Sequence, residues 1–252
     1  MRVICFDLDD TLYKEIDYLK SAYREIAGYA AEHCHGCSAP VSVLAHKAYE
    51  AMLAAYHEGQ NAFEELNKFL GLALPIGDYL YIYRNHKPKI ALMEDVVRTL
   101  DALKAEGVRI GLITDGRSVQ QRNKIEALGL GRWIENADIV VSEEFGSEKP
   151  ALANYEYFMK RYPECQDFTY VGDNPRKDFI APNALGWITI CLMDDGRNIH
   201  RQDFVSTPAQ ALPKKTIMSL KGVDMNQLKS LAKGIWQFVS YLFWPQLHYR
   251  QR

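Results

Sequence analysis

Five short runs, residues 3–8, 108–114, 138–142, 168–172 and 187–192, are each too short for a helix and nearly continuous in apolar side chains. A strand covered on both faces has this character, because neither face can carry polar groups. Amphipathic stretches lie between the runs. Val96, Val97, Leu100 and Leu103 share one helical face, with Glu94 and Asp95 in the first turn and Gly107 as the stop. Val119, Ile125 and Leu128 form a second face ending at Gly129, and a third stretch runs from about residue 151 to 162, before Pro163. Strands alternating with helices of this length predict an α/β fold, a doubly wound parallel sheet.

The alternation has one gap. Roughly ninety residues separate the first run from the helix before the second, too many for an unstructured loop. Residues 18–33, 41–56 and 62–70 read as helices rich in Ala, Leu and Tyr, broken by Gly36, Pro40, Gly59 and the Pro75–Gly77 turn. The expected organisation is an α/β core from residues 1–13 and 90–205, a helical cap at 14–89, a linker at 206–222 and a C-terminal helical extension at 223–252.

A chain of 252 residues with 48% hydrophobic and 25% charged residues can bury a substantial core. Its formal charge of −2 argues against a nucleic-acid partner. The N-terminus carries no secretory signal and no stretch of eighteen apolar residues occurs, so the expected location is cytoplasmic, with no transmembrane segment. Cys5 and Cys191 lie inside strand-like runs, as reduced thiols would. Cys34-His35-Gly36-Cys37 lacks the paired ligand set of a zinc site and reads as a surface helix end.

In an open parallel sheet, ligands sit beyond the carboxyl ends of the strands. Asp7, Asp9, Asp10 and Thr11 follow the first run, Thr114-Asp115-Gly116 the second, Lys149 the third, and Gly172-Asp173-Asn174-Pro175 with Asp178 the fourth. Carboxylates crowded in a partly dry crevice repel one another unless a cation or proton intervenes. Oxygen donors of this kind favour Mg2+, with Asp7 and Asp173 as ligands. Lys149 and the Thr114 hydroxyl then face the oxygens of a phosphoryl group, and backbone N–H groups complete the cradle. Phosphoryl transfer to Asp7 also needs a part-protonated carboxyl nearby. Asp9 suits that role, because residues two apart on an extended segment point to the same side, whereas Asp10 faces elsewhere as a local hydrogen-bonding residue.

Taken together, Asp7-Leu8-Asp9-Asp10-Thr11-Leu12, Ile113-Thr114-Asp115-Gly116, Glu148-Lys149-Pro150 and Gly172-Asp173-Asn174-Pro175-Arg176-Lys177-Asp178 resemble, in order and spacing, the four motifs of the haloacid dehalogenase (HAD) superfamily. The resemblance runs from Met1 to about Asp195, and the insertion is similar to a C1-type helical cap. It implies a HAD phosphatase, a hydrolase in which Asp7 is the nucleophile. Asp9 would be the general acid/base and a metal ligand through its carbonyl. Thr11, Thr114, Asp115, Gly116 and Lys149 would hold phosphate, Asp173 would bind the metal, and Asn174 and Asp178 would support these groups from behind. The dehalogenase branch lacks the second acid of the first motif, so Asp9 points to phosphate esters.

The expected activity is therefore Mg2+-dependent hydrolysis of a small phosphorylated metabolite through an aspartyl-phosphate on Asp7. Two alternatives are a phosphotransferase (mutase) using the same aspartate and an accessory or scaffolding subunit acting through the C-terminal aromatic helix. In the cap, Tyr13, Tyr23, Arg24, Tyr81, Tyr83, Arg84 and His86 are candidate substrate-binding groups, with Arg84 and His86 equally able to hold the hinge. The tail carries Leu228, Leu231, Ile235, Phe238, Val239 and Leu242 on one helical face, suited to docking on the core, to self-association or to a partner or membrane surface.

Overall fold

A computed structural model describes residues 1–34 and 39–223. In chain order the elements are β1 (Arg2–Phe6), α1 (Glu15–Glu32), α2 (Val41–His57), α3 (Ala62–Leu70), α4 (Ile76–Asn85), α5 (Glu94–Ala105), β2 (Arg109–Thr114), α6 (Ser118–Ala127), β3 (Ile139–Val141), α7 (Ser142–Phe145), α8 (Ala153–Arg161), β4 (Asp167–Gly172), α9 (Ile180–Ala184), β5 (Ile188–Leu192) and β6 (Lys215–Ile217). The six strands form one parallel sheet in the order β3-β2-β1-β4-β5-β6. The chain winds outward from β1 on one side and from β4 on the other, so the point where the winding direction changes lies between these two strands.

Alternate side chains of β1 serve two cores. Ile4 and Phe6 pack with Leu100, Leu112 and Val171 on one face. Val3 and Cys5 pack with Tyr155, Phe158, Tyr170 and Trp187 on the other. Helices α1–α4 bury a third core of their own around Ile26, Met52, Leu66 and Tyr79. Asn61 starts α3 by accepting the N–H groups of Phe63 and Glu64, and Gly71, at φ 64°, ends it.

The sheet departs from expectation at its edge. Lys215–Ile217, placed in the linker by the sequence reading, pairs with β5 as a sixth strand, and Ile217 joins the main core. A three-residue edge strand with two polar side chains has too little apolar character to be read as buried sheet. Helix α4 occupies the segment read as a turn and a return to the core. Cys5, Cys165 and Cys191 are buried free thiols. Among the described residues no helix is long and apolar enough to cross a membrane. His35, Gly36 and Cys37, and all but the first residue of the C-terminal helical extension expected at 223–252, lie outside them.

Candidate active site

The C-terminal ends of β1 and β4 bring the first and fourth motifs together. Asp7 follows β1 and its N–H still bonds to Val171 O at 2.9 Å, which fixes its Cα against β4. Lys149 Nζ, fully buried, lies 2.7 Å from Asp7 Oδ1, 2.8 Å from Asp178 Oδ1 and 3.1 Å from the Tyr170 hydroxyl. Asp178 Oδ2 accepts the N–H groups of Asp173 and Asn174 at 3.1 and 2.8 Å. Both its oxygens are thus engaged, as suits a residue that orients others. Tyr170 was not anticipated, because a Tyr inside an apolar strand carries no signal that its hydroxyl meets a lysine.

Asp7, Asp173 and Asp178 each offer a carboxylate oxygen within 4.8 Å of one another, and all three are buried. Burial raises the Asp7 carboxyl to about 6, against the pull of Lys149, and Asp178 adds to the rise. Asp173 is pushed further, to about 9, by burial and by the charges of Asp178 and Asp7. Acids that disfavour each other's ionisation make an all-oxygen donor set that a divalent cation would relieve, so the residues present fit a metal ion. Asp173 Oδ2 also accepts from Asn198 Nδ2 at 3.0 Å, and Asn198 Oδ1 accepts from Lys14 Nζ at 2.7 Å. This link from the loop after β5 has no motif to announce it.

Asp9 is held by a different set of partners. Its Oδ1 accepts from Tyr13 at 2.5 Å and from Lys124 Nζ at 2.7 Å, and its Oδ2 accepts from Gln121 Nε2 at 2.9 Å. Burial works against ionisation of Asp9, but the Lys124 ammonium and these hydrogen bonds outweigh it and hold the carboxyl below its usual range. Lys124, which the sequence reading missed, thus opposes the part-protonated state expected of Asp9. The raised acid beside it is Glu15, held near 8 by burial and the Asp9 charge, with Lys124 acting in the opposite direction. Asp10, at φ 56°, turns away to accept the N–H groups of Glu15 and Ile199, the local role expected of it.

The cradle residues divide. Thr114 is buried, and its Oγ1 accepts from Gln121 Nε2 at 2.5 Å. Thr11 Oγ1 is buried with no hydrogen-bond partner among the described residues. Asp115 ties the loops together, accepting Lys149 N–H at 3.0 Å and Lys177 Nζ at 3.1 Å. The Gly116 N–H was expected to face phosphate, but it donates to Ser142 Oγ at 2.9 Å.

The cap candidates also separate by position. Tyr13 touches Asp9, and Tyr83 lies edge-on to Tyr18, whose ring faces Lys124. Tyr23 packs against Phe63 in the cap core, and Arg24 stacks over Tyr49 on the cap surface. Tyr81 and Arg84 line a groove of about 320 Å³ with Arg117 and Val119. His86 is buried and bonded to Ser21 Oγ at 2.7 Å through Nε2 and to Glu25 through Nδ1. Ser21 also accepts Lys89 N–H at 2.9 Å, so this cluster pins the returning chain to α1.

Residues 1–186 match the family model of haloacid dehalogenase-like hydrolases. A glyceraldehyde 3-phosphate phosphatase of Methanocaldococcus jannaschii is 32% identical over 200 residues, covering 75% of this chain and 84% of that protein. A ribulose-1,5-bisphosphate 5-phosphatase of Halopiger xanaduensis is 31% identical over 121 residues, 48% and 49% of the two chains. Among solved structures, the HAD-hydrolase YfnB of Bacillus subtilis, bound to magnesium, superposes with a TM-score of 0.59 at 19% identity, covering 90% of this chain and 98% of that one.

Proposed function

This chain belongs to the haloacid dehalogenase-like hydrolase family and is a phosphoric monoester hydrolase, and we propose that it hydrolyses a short sugar phosphate in two steps through Asp7. The observation that carries the proposal is the Lys149 bridge, a buried ammonium held 2.7 Å from Asp7 and 2.8 Å from Asp178 at the point where the sheet changes winding direction. A carboxylate fixed against a buried cation can accept an anionic phosphoryl group that it would otherwise repel.

In the first step an Asp7 carboxylate oxygen attacks phosphorus, and the bond from phosphorus to the sugar oxygen breaks with its electron pair on that oxygen. Asp9 protonates the departing oxygen. A phosphoryl group brought beside Asp9 raises its proton affinity, since like charge opposes ionisation. In the second step Asp9 takes a proton from the water that attacks the aspartyl-phosphate, which releases inorganic phosphate and restores Asp7. Lys149, Thr114 and Thr11 hold the phosphoryl oxygens. Asp7 and Asp173, with the Asp9 carbonyl, would hold Mg2+, which supplies positive charge to the phosphoryl oxygens when bound. Asp178 and Asn174 keep Lys149 and the β4 end in place.

The relatives named as glyceraldehyde 3-phosphate phosphatases motivate a triose or similarly short phosphorylated sugar. Purified protein should release phosphate from a panel of phosphorylated sugars, acids and nucleotides in Mg2+, fastest from the short sugars. Preference for nucleotides would overturn the substrate class, and absence of turnover on the whole panel would overturn the hydrolytic reading.

A further inference from the structure

Helix α6 belongs to the core, yet two polar residues one turn apart on its buried side, Gln121 and Lys124, are each only 1% exposed. A buried ammonium is strongly destabilising unless it is closely compensated. Lys124 is compensated by the Asp9 carboxylate at 2.7 Å and by the Tyr18 ring face, whose centroid is 4.6 Å away, and the Glu15 carboxyl lies at 3.7 Å. Gln121 spreads one amide nitrogen over Asp9 Oδ2 at 2.9 Å, Thr114 Oγ1 at 2.5 Å and Asp115 O at 3.2 Å. The same side chain therefore touches both the second acid of the first motif and the cradle hydroxyl.

We infer that Lys124 and Gln121 are positioning residues for Asp9, clamping one carboxylate oxygen each so that the group cannot rotate away from the leaving oxygen. The inference rests on the reading of Asp9 as the acid. With Oδ1 shared by Lys124 and Tyr13 and Oδ2 held by Gln121, turning the carboxylate breaks contacts at both ends. Leu or Met at 121 and 124 would fill the same buried face, but neither could hold a carboxylate.

The test separates positioning from general support of the fold. Values of kcat/KM are measured for p-nitrophenyl phosphate, whose phenolate leaves readily without a proton, and for phenyl phosphate, whose leaving group needs one more. Lys124→Met should lower the phenyl phosphate value roughly ten- to hundredfold, within the range for an impaired general acid, and the p-nitrophenyl phosphate value by less than about threefold. Lys124→Arg should restore much of the difference. Asp9→Asn, measured alongside, should show the same leaving-group dependence more strongly. Equal losses on both substrates for Lys124→Met, with the pattern present in Asp9→Asn, would overturn the positioning role alone. Absence of the pattern in Asp9→Asn would overturn the acid assignment and this inference with it. If the melting curve shows that Lys124→Met does not fold, Gln121→Met decides by the same ratio: a selective loss on phenyl phosphate supports the clamp and equal losses overturn it.

Discussion

Gly172 and Asp178 approach so closely that a Cβ on Gly172 would lie 2.4 Å from the Asp178 carboxylate. The last residue of β4 is therefore a glycine for want of space. Gly172→Ala should displace Asp178, leave Lys149 with one carboxylate fewer and destabilise the fold by about 1–3 kcal/mol, the usual range for overpacking. Thermal melting and kcat should fall together. An alanine variant of normal stability and activity would show that the strand end does not fix Asp178.

Asp7 and Asp173 give a pH dependence with a definite sign. Their carboxyls stand at about 6 and about 9 in the folded protein, above their ordinary value of 3.8. Metal-free folded protein thus binds more protons than the unfolded chain across this window. Stability contributed by the two groups is full below pH 3.8 and is lost as pH rises through 6 and then 9. The increase in melting temperature on adding Mg2+ should accordingly grow from pH 5 to pH 9. A shift that shrinks as pH rises would contradict the metal assignment.

His86 is expected to act on stability rather than on substrate affinity. Its ring bonds to Ser21 and Glu25, and Ser21 also holds the Lys89 N–H, all where the chain leaves α4 for the core. His86→Ala should cost about 1–3 kcal/mol for the buried groups left unpaired and leave KM within about twofold of wild type. Measured KM and melting temperature decide between the two roles. A large rise in KM with unchanged melting would return His86 to the substrate.

Most of the sheet was legible because β1, β2, β4 and β5 are buried on both faces and so are nearly continuous in apolar residues. β6 was not legible, since an edge strand of Lys215, Thr216 and Ile217 buries little and follows Pro213 closely. α4 was hidden by Pro75 and Gly77, which read as a turn although Pro75 stands at the N-cap, where proline is tolerated. The acids and Lys149 were legible through their places at strand ends. Lys124 and Gln121 were not, because polar residues on a helix are taken as solvent-facing. A signal did exist: Gln121 and Lys124 fall on the same side of the helix as Leu128. Val119, counted there instead, is 52% exposed.

The covalent phosphoryl group proposed on Asp7 can be trapped by acid quenching during turnover followed by borohydride reduction. An acyl-phosphate at this position is reduced to homoserine, which peptide mass spectrometry locates. The expected result is homoserine at residue 7 in the wild-type protein during turnover in Mg2+, and neither label nor turnover in Asp7→Asn. Turnover with no modified Asp7, or with the label on another carboxylate, would contradict the account.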